Sequence, residues 1–299
     1  MKKLMITLAA VATFTAFADA DAKSAEVETN SAPIFWGFGN YGIYSGYQLY
    51  GSLVNDNPTM QGYVEGNVNV GDLGYIGIGI WSNTDLTKRR SQNSLGNLFN
   101  EWDFNIHIGR TFWFDNDQTV GLEWRSFIQW YYYPCENYSH GRVTNHTTWD
   151  FNHSFALVNP YVVPYITAVR EYSKGANLVV FGLKKSIAVS DELTLTPYIE
   201  GVWRERQYNW CFPTAFNGTA PDGYDCNKNS GIATAKIGLD CNWQLTDNFG
   251  LFAKVAYCSI VDGDLRDNVD KLNDFSYDWY SYGTHKDYAW GGVGVTFNF

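Results

Sequence analysis

The chain ends on Tyr288-Ala289-Trp290-Gly291-Gly292-Val293-Gly294-Val295-Thr296-Phe297-Asn298-Phe299, and the parity of this stretch decides the fold. In an extended strand successive side chains point to opposite faces. One face then carries Ala289, Gly291, Val293, Val295, Phe297 and Phe299; the other carries Tyr288, Trp290, Gly292, Gly294, Thr296 and Asn298. The first face is apolar and ends in aromatics, whereas the second is polar or small. The stretch from 119 repeats the pattern, with Val120, Leu122, Trp124, Ile128, Trp130 and Tyr132 against Glu123, Arg125, Gln129 and Tyr131. So does the stretch from 230, with Ala235, Ile237, Leu239, Cys241 and Trp243 against Lys236, Gly238, Asp240, Asn242 and Gln244.

Working outward from these segments, period-two alternation predicts strands over 41–53, 59–71, 74–83, 101–114, 119–133, 150–158, 161–172, 176–189, 193–207, 230–245, 249–261 and 285–299. Helical three-and-four spacing is nowhere sustained. Five connections are very short: 71–73, 115–118, 159–160, 190–192 and 246–248. They alternate with connections that include four long ones, 84–100, 134–149, 208–229 and 262–284. Tight turns at one end and long loops at the other are the rhythm of an outer-membrane barrel. A soluble sandwich would also alternate, but it does not need Tyr and Trp at both ends of so many strands, as a lipid-facing band does. The expectation is an all-β protein, a closed antiparallel transmembrane β-barrel of about 12 strands over 41–299. Closure is obligatory, because an open edge would leave backbone groups unpaired in hydrocarbon.

Composition fits this reading once parity is considered. The 299 residues are 17% aromatic, include 28 glycines and are only 17% charged. That excludes a disordered chain, which is aromatic-poor and charge-rich. A formal charge of -10 argues against nucleic acid as a partner. The mean hydropathy of -0.28 excludes a helical membrane protein only, since in a barrel every second residue meets lipid.

Lys2 and Lys3, an apolar stretch from Leu4 to Ala18 and two A-x-A sites (Ala16-Phe17-Ala18 and Ala18-Asp19-Ala20) read as a signal peptide over 1–20. Residues 21–40 then form a periplasmic N-terminal segment. Cleavage after Ala20 leaves 19 basic and 30 acidic side chains, a net of -11. An exported chain can oxidise its cysteines, and Cys211 and Cys226, which flank a stretch rich in Pro, Gly and Asn, are the disulfide candidates. Cys135, Cys241 and Cys258 have no assignable partner.

Parity assigns Arg125, Arg170, Lys184, Arg204, Arg206, Lys236, Lys254 and Lys286 to the lumen, with Glu65, Asp103, Glu123, Glu200 and Asp240. Eight cations against five acids predict an interior of about +3 that favours anionic solutes, unless the charges pair across strands. Tyr44, Tyr50, Trp81 and Tyr131 also face inward, where they either stack on solutes or pack. Arg110 and Lys185 fall on apolar faces about five residues before a short turn, within reach of the interface by snorkelling.

The terminal Val293-Gly294-Val295-Thr296-Phe297-Asn298-Phe299 resembles the last strand of Gram-negative outer-membrane barrels, which ends in phenylalanine. This implies barrel assembly machinery as a partner, engaged through the strand ending in Phe299, and outer-membrane lipid as the surroundings. Residues 40–130 are similar to TorF-type porins, through Tyr44-Ser45-Gly46-Tyr47, Tyr50-Gly51-Ser52, Asn57-Pro58-Thr59-Met60-Gln61-Gly62 and Gly74-Tyr75-Ile76-Gly77-Ile78-Gly79-Ile80-Trp81-Ser82-Asn83. The resemblance implies a channel without naming a solute. In size and strand count the chain is also similar to narrow channels for nucleosides or acidic sugars. The expected function is passive diffusion of small polar or anionic solutes, with loops 134–149, 208–229 and 262–284 restricting entry.

Two other functions compete with this one. A non-conducting barrel would use its loops to bind a partner. A lipid hydrolase would need Ser and His together on the lipid-facing surface, but His153 and Ser154 are adjacent and point to opposite faces. His140, His146 and Cys135 match no zinc spacing, the run Asp262, Asp264, Asp267, Asp270 and Asp274 reads as a solvated acidic loop, and neither metal nor cofactor is expected.

Overall fold

Wherever the alternation is sustained, the chain forms a strand. The computed structural model describes residues 34–55, 57–86, 101–132, 147–172, 175–205, 230–274 and 285–299. In chain order the strands are β1 (Phe35–Tyr44), β2 (Tyr47–Leu49), β3 (Ser52–Asn55), β4 (Thr59–Asn69), β5 (Tyr75–Asp85), β6 (Glu101–Trp113), β7 (Gly121–Tyr132) and β8 (Thr147–Val158). They continue with β9 (Val163–Glu171), β10 (Ala176–Lys184), β11 (Ile187–Ala188), β12 (Leu193–Arg204), β13 (Gly231–Gln244), β14 (Phe249–Ile260) and β15 (Asp287–Asn298). β10 and β11 both pair with β12 and act as one interrupted strand, while β2 and β3 pair only with each other. The remaining order runs β10-β9-β8-β7-β6-β5-β4-β1-β15-β14-β13-β12, and β10 pairs back onto β12. The result is a closed barrel of twelve antiparallel strands.

The first and last strands seal it. Gly37 N–H donates to the Phe299 carbonyl at 2.7 Å and Phe299 N–H returns to the Gly37 carbonyl at 3.1 Å. On the outer face the rings of Phe299 and Phe297 lie directly over Gly37 and Gly39, where a Cβ would collide with them. The terminal phenylalanines thus cover the seam, and Phe35 adds a third ring 6.2 Å from that of Phe299.

The short turns are built by their own side chains. Asp115 accepts from Thr119 N–H at 2.9 Å and Val120 N–H at 3.1 Å, and also from the Thr119 hydroxyl. Together these hold its carboxyl below the usual aspartate range, the Thr119 hydroxyl acting most strongly. Asn159 accepts from Tyr161 and Val162 N–H groups and donates to the Val162 carbonyl at 2.7 Å.

Three expectations are corrected. The barrel begins at Phe35 rather than at 41, so 35–40 belong to the wall and not to an N-terminal segment. The single strand predicted over 41–53 is instead the end of β1 followed by the β2–β3 hairpin, because Ser45 and Gly46 turn the chain. The acidic run from 262 is no open loop either: Gly263–Asp274 forms a helix, α1, whose first turn is capped by Asp262 Oδ1 accepting from Leu265 N–H at 2.9 Å. Leu265 and Val269 pack on Ala233 and Ile260 at the rim, and Arg266 pairs with Asp287 at 2.7 Å. The proposed signal peptide, Arg206, Cys135, Cys211, Cys226, His140 and His146 lie outside the described residues.

Candidate functional site: the lumen

Outward-facing side chains are apolar along the wall, as in Ile76, Ile78 and Ile80 of β5 or Val293 of β15. Arg110 and Lys185 keep the outward parity predicted for them, and the Arg110 guanidinium stacks 4.9 Å from the Phe112 ring. The inward face is polar on the wall β4–β7. There Glu65 accepts from Arg125 Nη2 at 2.7 Å, from Tyr63 OH at 2.5 Å and from Asn67 Nδ2 at 3.1 Å. His107 bridges Asn67 Oδ1 at 2.7 Å and Asn105 Oδ1 at 2.8 Å. On the facing wall Glu200 holds Lys236 at 2.8 Å and accepts from Tyr165 OH at 3.0 Å, and Lys254 lies 3.8 Å from Asp240. Glu200 with Lys236 and Asp240 with Lys254 pair between neighbouring strands, whereas Glu65 of β4 and Arg125 of β7 pair across the two strands between them.

The residues predicted to face the lumen divide by their place on the wall. Arg125, Lys184, Glu200, Arg204, Lys254 and Glu123 are inward and buried, Lys236 is inward, and Tyr131 donates to Asp150 Oδ2 at 2.8 Å. Arg170 is not: on β9 the inward residues are Tyr165, Thr167, Val169 and Glu171, so Arg170 shares the outer face with Ile166 and Ala168. Its position next to the last residue of β9 puts it at the loop end, where a guanidinium can reach the interface. Lys286 lies at the rim, before β15 begins.

Among the described residues the sign of the interior charge is opposite to that predicted. Glu101, Asp150 and Glu171 are inward and buried although strand parity had not singled them out. With Glu65, Asp103, Glu123, Glu200 and Asp240 they make eight inward carboxylates. Against them stand five cations, Arg125, Lys184, Arg204, Lys236 and Lys254, so these residues together carry a formal excess of three negative charges. Glu101, Asp103, Asp150 and Glu171 gather at the loop end, with Gln129 Nε2 donating to Asp103 at 3.0 Å. The signal was present in the alternation: Glu101 shares the parity of Asp103, already assigned to the lumen, and Asp150 opens the strand predicted over 150–158.

The β2–β3 hairpin folds into the lumen at this same end. Arg204 Nη2 donates to the Tyr50 carbonyl at 2.6 Å and Thr234 Oγ1 donates to it at 3.2 Å. Gln48 Nε2 reaches Cys258 Sγ at 2.7 Å and Tyr288 OH at 2.9 Å, and Trp290 Nε1 donates to the Gly46 carbonyl at 2.9 Å. Tyr47 packs 5.6 Å from the Trp81 ring, and Tyr47 and Tyr50 share a buried cluster with the inward Val169, Leu178, Val180 and Val202. Leu53 belongs to a second cluster with Tyr198, Phe252 and Cys258. Tyr44 stacks on Trp290 at 5.2 Å. The inward aromatics Tyr44, Tyr50 and Trp81 therefore pack the interior. A trace of the hairpin is legible in β10, where Leu178-Val179-Val180-Phe181 is apolar on both faces, so that its inner face needs a cover.

On the outer surface, Ser126 Oγ and His153 Nδ1 meet at 2.6 Å across β7 and β8. This pair escaped sequence reasoning because its members are far apart in the chain. Both sit near the middle of their strands, the His ring packs edge-on against Phe151, and Nε2 has no partner among the described residues. A nucleophilic serine needs its histidine oriented by a third group and an oxyanion donor. The backbone donors here are spent on the β7–β8 ladder, and the pair instead satisfies two polar groups facing hydrocarbon. No three His, Cys, Asp or Glu side chains among the described residues converge as a metal site.

No protein-family profile matches the chain, and no curated protein sequence does. The resemblance to TorF-type porins therefore rests on the quoted motifs alone. Among solved structures, an outer membrane channel from Pseudomonas putida F1 superposes with a TM-score of 0.50 at 12% identity, over 91% of this chain and 98% of that one. The fold is that of an outer-membrane barrel. The NanC porin gives 0.46 at 10% identity over 87% and 98%, and the outer membrane phospholipase A of Escherichia coli gives 0.43 at 12% over 88% and 92%. At these identities the likeness is one of fold, so function has to be argued from the lumen.

Proposed function

We propose that the barrel is an outer-membrane channel for passive diffusion of small polar solutes, with cations favoured over anions. The observation that carries it is the inner face: charged and hydrogen-bonding side chains line the lumen from the Glu65–Arg125 pair to the carboxylates of the loop end, an expensive lining unless water and solutes meet it. The excess of inward carboxylate supports the cation preference, since rings of Asp and Glu select cations. The terminal strand ending in Phe299 would engage the barrel assembly machinery, and the apolar outer band would meet outer-membrane lipid.

A non-conducting barrel is the second reading, and the docked hairpin is what favours it. Conductance across planar bilayers decides between them, measured on the folded barrel and on a variant with 47–55 replaced by a short Gly-Ser linker. Current through the wild-type barrel supports the channel, and current through the variant alone supports the non-conducting barrel. No current through both overturns the channel.

A further inference from the structure

We propose that the β2–β3 hairpin is a hinged gate, latched inside the lumen by Arg204 and Thr234 and able to leave it without disturbing the wall. This rests on the channel reading above. Every wall strand is hydrogen-bonded along both edges, whereas β2 and β3 form a two-stranded sheet of their own with no ladder to the wall. An isolated hairpin of this size has little stability of its own, so its position is set by what it docks against.

The docking hydrogen bonds fall at separate points of the hairpin. At the tip, the Tyr50 carbonyl receives two donors, Arg204 Nη2 and Thr234 Oγ1. On one flank Gln48 meets Cys258 and Tyr288, and at the base Trp290 holds the Gly46 carbonyl. Tyr50 and Gly51 both have positive φ, 50° and 73°, which aims the carbonyl at the latch. Positive φ at both positions is what a tight two-residue turn between the paired Leu49 and Ser52 requires, and at Tyr50 it carries a steric cost that Gly51 does not have. The wall beneath is apolar: Val169, Leu178, Val180 and Val202 face inward at the loop end, in a lumen whose other wall is charged. A pad of this kind is costly facing water and favourable beneath the tyrosines of the hairpin. Arg204, assigned from sequence to the solute path, holds the gate instead.

Cys258 reports the position of the hairpin, because its thiol is fully buried under Gln48. The test is the rate at which a membrane-impermeant methanethiosulfonate reagent modifies Cys258 in barrels reconstituted in vesicles, with the labelled site located by peptide mass. The proteins compared are the wild type, Arg204→Met with Thr234→Val, and the variant with 47–55 replaced. The latch variants leave the Gln48 contact intact. A gate predicts slow labelling of the wild type, labelling faster by about tenfold or more when the charged and neutral latch bonds are removed, and the fastest labelling without the hairpin. If the latch variant reacts no faster than the wild type while the hairpin-less barrel reacts readily, the hairpin is a fixed plug and the proposal falls. Wild-type labelling as fast as that of the hairpin-less barrel overturns it as well, since the lumen would then be uncovered. The thiol readout is independent of current, so a barrel whose Cys258 follows this order but never conducts would retain the moving hairpin and lose the channel.

Discussion

Arg204, the last residue of β12, donates through Nη2 to the backbone carbonyl of Tyr50, 154 residues earlier in the chain, at 2.6 Å. This one bond ties the connection after the first wall strand to the far side of the barrel. It makes the backbone of the hairpin turn a determinant of how much of the lumen is open.

Gly51 sits at φ 73° with its missing Cβ pointing at the Thr234 side chain. Gly51→Ala should add roughly 1–2 kcal/mol of left-handed strain and force the turn off Thr234. Undocking is expected to raise single-channel conductance, with the melting temperature of the barrel unchanged because the hairpin pairs with no wall strand. Equal conductance in variant and wild type would refute this.

Glu65 and Arg125 form a buried pair at 2.7 Å. Removing one partner, as in Glu65→Leu or Arg125→Met, should destabilise the barrel by about 3–5 kcal/mol, because the other charge is left uncompensated. The double variant is expected to recover most of that loss. Urea unfolding of the four proteins in a double-mutant cycle measures the coupling, and additive losses would show that the pair is not coupled.

The seam between β1 and β15 depends on Gly39 lying under the Phe297 ring. Gly39→Val should cost roughly 1–3 kcal/mol by overpacking and slow barrel closure. Phe297→Ala combined with Gly39→Val should restore closure by opening the space. Heat-modifiable electrophoretic mobility separates the closed from the unclosed form, and a lack of rescue would place the defect elsewhere.

Asp103 and Asp150 belong to the acidic loop end of the lumen. Asp103→Asn with Asp150→Asn should lower the ratio of potassium to chloride permeability by about twofold or more, by removing field at the entrance. The reversal potential in a salt gradient reads this directly. A wild-type barrel selective for anions would reject the cation preference outright.

The Asp115 turn predicts a pH dependence of local stability. Its carboxyl is held below the ordinary aspartate value of 3.8, chiefly by the Thr119 hydroxyl. A depressed folded value means that the unfolded chain binds protons first, so the contribution is complete above 3.8 and is lost as pH falls through the folded value. Backbone exchange at Thr119 and Val120 should accelerate over that acid range in the wild type and show no such step in Asp115→Asn.

The sequence by itself determined the wall. Strict alternation in β5, β7 and β15 leaves one lipid-compatible face, and a one-residue slip would put Glu123 or Arg125 into hydrocarbon, so register and closure follow from local pattern alone. The glycines and aromatics of β1 and β15 were legible for the same reason. What only the tertiary structure decided is the content of the lumen. Parity says that a residue faces inward, but not which residues of distant strands stand opposite one another once the wall curves shut. Arg204 reads as pore lining in sequence and becomes a latch because the barrel brings Tyr50 to it. Ser126 and His153 become partners only through the register of β7 on β8. The sign of the interior charge turned on the loop ends of β6, β8 and β9: Glu101 and Asp150 lie near the starts of their strands on the inner face, and on β9 a one-residue change of parity exchanges Arg170 for Glu171 in the lumen.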